Sequence, residues 1–545
     1  MMKPVFLMLW LAALIAGGVP AQAAPALADL APVTPVMSCA RLAALDLSRA
    51  TGAATTLTAS ETSGAKALCK VSGTIAPSIR FEVLLPLFGW TQRYLQTGCG
   101  GLCGMLRVEA GNAQDCTPVT DGSIVLASTD MGHQGMDTGW GDDTQKRKDF
   151  AERGVHVTAL AAKALIRAFY GQAQRYAYFT GCSDGGREAL IEAQRYPGDF
   201  DGIAAGAPAL YFAAQNSFHH GWLAKVNTGA DGKAVLLAAD MAPLHAAALK
   251  ACDGLDGLVD GQITDPRVCR VDPSVTRCKG VYQPGQCLTP AKVEAARLIY
   301  QGARTATGTR LEVGPLMPGG EMNWVGVFVP ISADGPLMSA KFAEDTINHL
   351  LFTPNPATPY TPQTFPFNEA MTALEAPARA LYDADHDDLS AFAAHGGRLI
   401  LYHGWSDPHI SPLGTIDYYD RVGTKMGAGR RDAFIRLFML PGMSHCSGGD
   451  GPSEFPLLAN LMRWVENGTA PQVMIAHRAR RTDAGQPPHA NGPPAGMVQP
   501  QPPMPPRSRP IFAWPQVAVY VGHGSVDDAA SFTAGSPASH GATVP

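Results

Sequence analysis

The chain is predicted to fold as an α/β protein, with a parallel sheet covered on both faces and interrupted by one large insertion. Three observations predict it. Short apolar runs rich in β-branched and aromatic residues recur at 80–87, 93–96, 123–127, 176–180, 398–402 and 434–440 and read as buried strands. Between the third and fourth of them, Val157, Leu160, Ala161, Ala164, Leu165 and Ala168 recur at helical spacing. A strand, a crossover helix and a strand in that order imply parallel neighbours. The rhythm then stops after Pro208 and resumes near Arg398, and the stretch between carries four cysteines, many prolines and turn clusters. Residues 209–395 therefore read as an inserted lid domain, with 24–208 and 396–545 as the two parts of the sheet domain.

The ends of the chain read differently. Lys3 precedes an apolar run at 5–16, and Ala21-Gln22-Ala23 is a small-x-small cleavage signal, so 1–23 reads as a signal peptide and the mature chain as secreted or periplasmic. The run is shorter than the roughly 20 residues a bilayer span needs, and no membrane association is expected. About 520 mature residues exceed one ordinary core, which agrees with an insertion. With 16% charged residues and a formal net charge of −5, a polyanion-binding surface is not expected, and no nucleic-acid partner. All eleven cysteines follow the cleavage point. In an oxidising compartment most should pair, and the odd count leaves at least one thiol. No internal repeat is visible. Residues 487–510 are proline-rich and read as an extended surface segment, neither a regular helix nor a central strand.

Chemistry enters with Gly181-Cys182-Ser183-Asp184-Gly185, placed between the strand ending at Thr180 and a helix stopped by Pro197. A G-x-S-x-G turn in that context exposes a serine nucleophile, and its glycines let strand and helix approach closely. The following helix directs free N–H groups and the positive end of its dipole at the place where an oxyanion would form. In the α/β-hydrolase fold the acid and the histidine come later in the chain, in loops after late strands. His403-Gly404-Trp405-Ser406-Asp407 follows the strand ending at Tyr402, and Gly442-Met443-Ser444-His445-Cys446 follows the one ending at Leu440. Alone, Asp407 before Pro408 would read as a turn former and His445 as a surface histidine. Their joint placement favours a triad of Ser183, His445 and Asp407.

Cys182 directly before the serine and Cys446 directly after the histidine are the most specific feature. With them the sequence resembles the tannase and feruloyl esterase family, whose members carry a Cys-Ser, Asp, His-Cys constellation bridged by a disulfide. The resemblance runs over nearly the whole mature chain. It passes through Ser128-Thr129-Asp130-Met131-Gly132-His133, Cys182 to Arg187, Pro318-Gly319-Gly320-Glu321, the Asp407 and His445 loops, and Gly524 to Ala530. It implies an oxyanion hole made by the backbone N–H of Asp184 and that of Gly100 or Gly101, in the loop Gly98-Cys99-Gly100-Gly101-Leu102-Cys103-Gly104. That loop departs from the family's commoner all-glycine form by adding Cys99 and Cys103.

The resemblance also implies a structural calcium ion in the lid, bound by the side chains of Asp253, Asp256 and Asp260 and the carbonyls of Leu258 and Gln262. Three carboxylates in a glycine-bearing loop are independently the hard oxygen donors Ca²⁺ prefers, although the spacing is not that of an EF-hand. The family pattern pairs Cys39 with Cys69, Cys252 with Cys269 and Cys278 with Cys287, besides Cys182 with Cys446. It leaves Cys99, Cys103 and Cys116, of which two can pair locally. A C-terminal bridge of some relatives has no counterpart here, so packing of Phe512 and Trp514 is expected to hold the tail.

The expected reaction is two-step hydrolysis of a small aromatic ester through an acyl-enzyme, with no organic cofactor and no catalytic metal. The resemblance favours galloyl, feruloyl or other hydroxycinnamoyl esters and includes relatives that cleave mono(2-hydroxyethyl) terephthalate. Trp324, Phe352, Tyr360, Phe365 and Phe367 are lid aromatics that read more readily as core than as a ring-stacking site. His219 and His220 read as packing beneath the lid. The rival readings are a serine peptidase or amidase on the same fold, and a non-catalytic binding protein, which loss of a triad residue would favour.

Overall fold

The computed structural model describes residues 26–478 and 505–537. The segment read as a signal peptide and most of the proline-rich stretch lie outside them. Nine strands form the main sheet: β1 Thr55–Glu61, β2 Leu68–Ile75, β3 Ile79–Pro86, β4 Arg93–Thr97, β5 Val125–Thr129, β6 Tyr176–Cys182, β7 Gly202–Gly206, β8 Arg398–Gly404 and β9 Ile435–Leu440. Their order is β1-β2-β3-β5-β4-β6-β7-β8-β9. From β5 to β9 all neighbours are parallel, while β1, β2 and β3 add on antiparallel. This is the α/β-hydrolase fold.

The expected strands all form, within two residues of the expected limits. Three others were not expected. β1 is half exposed and alternates Thr with apolar residues, so no buried run marks it. β7, Gly-Ile-Ala-Ala-Gly, has little intrinsic strand preference but is fully buried, because space excludes anything larger. A β-carbon on Gly206 would lie 2.1 Å from the Tyr402 ring.

The crossover helix Gly154–Tyr170 and the helix Asp184–Arg195 carry apolar faces of Val155, Ala159, Leu165, Ile166, Ala189 and Leu190, all buried in the core. Residues 207–397 add no strand to the sheet. They form helices such as Met241–Cys252, Pro290–Gln301 and Met338–His349 around a small core of their own, with Trp324, Phe328 and Leu244 at its centre.

Five disulfides are present among the described residues: Cys39–Cys69, Cys99–Cys103, Cys182–Cys446, Cys252–Cys269 and Cys278–Cys287. Cys116 is free and buried, against the Met462 sulfur, and burial pushes its thiol up to about 11. The end of the proline-rich stretch differs from expectation. Ser508–Phe512 forms a strand paired with Val473–His477, and Arg509 and Pro510 are buried rather than on the surface. A two-stranded ribbon has a free edge, where proline's missing N–H costs nothing. Trp514 then packs on Trp405, and its amide donates to the Leu437 carbonyl of β9. No helix among the described residues is long and apolar enough to cross a membrane.

Candidate active site

β6 ends at Cys182 and the next helix begins at Asp184, so one residue, Ser183, turns the chain. Its backbone sits at φ 65° and ψ −123°, a left-handed conformation that costs about 1–3 kcal/mol for a residue with a β-carbon. The strain presents the hydroxyl at the carboxyl edge of the sheet. It persists because the surroundings fix it: the Ser183 amide donates to the Gly206 carbonyl at 3.0 Å, and its carbonyl accepts from Ala209. The turn also needs its glycines, since a β-carbon on Gly181 would stand 2.2 Å from the Gly185 oxygen.

Asp407 and His445 meet across the ends of β8 and β9, with His445 Nδ1 2.7 Å from Asp407 Oδ2. A proton on Nδ1 leaves Nε2 its lone pair, the tautomer a general base requires. Asp407 is fully engaged. Its Oδ1 accepts from the amides of His409 and Ile410 at 2.8 and 3.0 Å, and its Oδ2 also lies 3.1 Å from His403 Nε2. Burial alone would raise this carboxyl, but the His445 charge and the hydrogen bonds from His403 and His445 outweigh it and hold it well below the usual range.

The Cys182–Cys446 disulfide, with its Cα atoms 5.9 Å apart, fastens the chain beside Ser183 to the chain beside His445. The loop from Gly98 to Gly104 lies against the first turn of the helix Asp184–Arg195. Gly98 donates to Thr180, and a β-carbon on Gly185 would meet the Cys99 carbonyl at 2.7 Å. Cys99–Cys103 closes this loop on itself. The amides of Gly100, Gly101 and Asp184 donate to no protein acceptor among the described residues. Beneath the loop, Asp184 is paired with buried Arg187 at 2.6 Å, and the Glu188 carboxyl is pushed well above its usual range by burial and then by the Asp184 charge.

Other quoted motifs brace this arrangement. Gly320 packs on the Asp407 loop, where a β-carbon would be 3.0 Å from the Ser406 Cα. Next to it Glu321 accepts from Tyr300 and the Gly319 amide and pairs with His245. Asp130 holds Arg80 and the Gly132 amide, while His133 stacks on Trp140 at 4.4 Å.

Some neighbours escaped the sequence reading. His403 was visible only as a residue four before Asp407; in place, its Nε2 faces two acceptors, Asp407 and the Ile410 carbonyl, so that nitrogen carries the proton. His409 and Phe342 gave no signal. Of the lid aromatics considered, Phe365, Phe367, Tyr360 and Phe352 pack on one another, and Trp324 lies in the lid core. His219 pairs with Glu312 beneath the lid, but His220 reaches further, to His409.

The loop considered for calcium follows the helix Met241–Cys252 and is closed by Cys252–Cys269. Its carboxylates are hard oxygen donors of the kind Ca²⁺ takes. The Asp256 carboxyl is raised by burial and, less, by the like charges of Asp260 and Asp253; Asp256 accepts from the Thr264 hydroxyl and the Leu258 amide, and Asp253 accepts from the amides of Asp260 and Gly261. Arg507 and Arg509 supply positive charge to Asp260, at 3.6 and 2.5 Å.

Residues 62–534 match the family model described as tannase and feruloyl esterase. An uncharacterised esterase of Xanthomonas campestris pv. campestris is 33% identical over 86% of this chain and 84% of its own length. The mono(2-hydroxyethyl) terephthalate hydrolase of Piscinibacter sakaiensis is 30% identical over 86% and 85%. The crystal structure of feruloyl esterase B from Aspergillus oryzae superposes with a TM-score of 0.72, covering 88% of this chain and 96% of that one at 24% identity, which shows the shared fold. The chain belongs to the tannase and feruloyl esterase family and is a carboxylic ester hydrolase.

Proposed function

We propose that the protein hydrolyses esters of aromatic, phenolic acids of the galloyl and feruloyl kind, with Ser183 as nucleophile, His445 as general base and Asp407 as its orienting acid. The observation that carries this reading is the 2.7 Å pairing of His445 with Asp407 on a loop disulfide-bonded to the residue before Ser183. The family's description supports the substrate class.

His445 Nε2 takes the Ser183 proton as the hydroxyl attacks the ester carbonyl, and the amides of Asp184 and of Gly100 or Gly101 stabilise the oxyanion. His445 then protonates the leaving alcohol, and water repeats the cycle on the acyl-enzyme. Asp407 needs no proton of its own at any stage, which suits a carboxyl held well below its usual range.

The side chains of Asp253, Asp256 and Asp260, with the carbonyls of Leu258 and Gln262, would hold Ca²⁺, whose role there would be to draw the three carboxylates together and fix the lid loop. An exported location accords with five disulfides.

The test is hydrolysis of methyl gallate, methyl ferulate, mono(2-hydroxyethyl) terephthalate and short p-nitrophenyl esters by the native chain and by Ser183→Ala. Loss of activity in the variant with the phenolic esters preferred is the expected result. Preference for the terephthalate ester would move the chain to that branch, and activity that survives the substitution would remove Ser183 as nucleophile.

A further inference from the structure

His409 follows Asp407 by two residues, and its ring lies 4.7 Å from that of His445. His220 approaches His409 edge-on at 5.7 Å and stacks on Phe342 at 5.4 Å, while Phe342 meets His409 edge-on at 6.5 Å. Phe342 also borders the oxyanion loop, for a β-carbon on Gly101 would stand 3.8 Å from its ring. One continuous wall therefore runs from that loop, past Phe342, to the base.

The polar atoms on this wall are unsatisfied in a particular way. Nδ1 of His220 is taken by the Ser339 hydroxyl at 2.8 Å, but its Nε2 and both ring nitrogens of His409 have no hydrogen-bond partner among the described residues. None of the three is sealed from solvent, whereas Nε2 of His219, one residue away, is sealed. Both residues are nearly buried, at 3% and 7% exposure. Burial lowers His409 to about 3 and His220 well below the usual histidine range, so both rings are neutral, each with one donor and one acceptor nitrogen.

We propose that His220 and His409 are specificity-determining residues that hydrogen-bond a ring hydroxyl of the substrate's acyl group, with Phe342 stacked against the aryl ring. This rests on the esterase reading above. With the carbonyl oxygen at the oxyanion loop, the acyl group extends along Phe342 before it reaches the imidazoles. A neutral imidazole complements a phenolic hydroxyl as donor or acceptor, whereas a carboxylate on the same ring calls for a cation that these two side chains do not provide. A site built to hydrogen-bond a hydroxyl discriminates against the analogue lacking it, because its own polar groups are then left unpaired.

The test compares kcat/KM for methyl p-coumarate against methyl cinnamate and for methyl gallate against methyl benzoate. The enzymes are wild type, His220→Phe/His409→Phe, which keeps the ring volume, and His409→Asn, which keeps a donor and an acceptor. Wild type is expected to favour the hydroxylated ester of each pair at least tenfold, about 1.4 kcal/mol. The double variant should bring the ratio near one, and His409→Asn should retain part of it. A wild-type ratio near one, or an unchanged ratio in the double variant, would overturn the proposal. The wild-type ratio decides even where circular dichroism shows that a variant does not fold. The esterase reading fails separately, by equal rates of wild type and Ser183→Ala on p-nitrophenyl acetate. Hydrolysis that depends on Ser183 but shows no hydroxyl preference removes this proposal alone.

Discussion

Replacing both cysteines of the Cys182–Cys446 bridge by serine tests whether that bridge is the main long-range tie of the fold. It spans 264 residues, whereas Cys278–Cys287 spans 9. All four residues are partly buried, so a serine hydroxyl is tolerated at each and the comparison isolates loop length. The chain-entropy relation gives about 5–6 kcal/mol at 25 °C for the longer loop and about 2.5 kcal/mol for the shorter. The two small bridges inside the long loop shorten it enough to change this by only ~0.1 kcal/mol. The expected difference between Cys182→Ser/Cys446→Ser and Cys278→Ser/Cys287→Ser is therefore about 3 kcal/mol, a large part of the 5–15 kcal/mol that holds a typical protein folded. Equilibrium unfolding in urea at pH 6, followed by tryptophan fluorescence, measures it. The same proteins assayed at 15 °C should show kcat reduced at least tenfold in the first variant, because the base's loop loses its anchor beside Ser183. Equal stabilities of the two variants, or an undiminished kcat in the first, would refute the reasoning.

Three further outcomes are expected. Asp407→Asn should lower kcat by roughly 10³–10⁴ with little change in KM, since the amide favours the wrong His445 tautomer, and steady-state kinetics on p-nitrophenyl acetate checks it. Glu188→Gln should gain stability relative to wild type as pH rises. The native carboxyl, raised by burial and then by Asp184, keeps a proton that the unfolded chain releases near pH ~4.3, so wild-type stability falls from that pH up to the folded value while Gln does not titrate. Melting curves at pH 4 and pH 8 would show a gap that widens with pH, and a constant gap would contradict the assignment. Chelation with EGTA should lower the melting temperature of wild type, reversibly on adding Ca²⁺. A concentration 100 times the dissociation constant contributes about 2.7 kcal/mol. Asp253→Asn/Asp256→Asn should be insensitive to both treatments, and an equal response to EGTA in this variant would rule the loop out.

The parallel half of the sheet was legible because buried strands there read as unbroken apolar runs, and Ser183, Asp407 and His445 stood out because each follows such a run. β1 hid because it is half polar, and β7 because close packing, rather than propensity, makes it a strand. Pairing of Cys99 with Cys103 was one of several open choices, since spacing leaves connectivity free. Phe342 and His409 were invisible for a different reason. What makes them neighbours of His445 is how a lid helix docks more than 60 residues away in sequence, and no local pattern encodes that. His220 was seen, and its neighbour His219 indeed pairs inward with Glu312; adjacent helical residues point apart, so only His220 reaches His409.

The solitary thiol of Cys116 has a consequence for how this molecule ages. Ten of its eleven cysteines are committed to bridges, and a thiolate is the species that attacks a bridge. With its thiol pushed up to about 11, folded Cys116 is thiolate in only about one molecule per thousand at pH 8. Unfolding removes that protection at once and delivers a nucleophile into a chain carrying five targets. Heating in alkaline solution should thus scramble the bridges and make denaturation a one-way event, whereas in mild acid the same excursion remains recoverable.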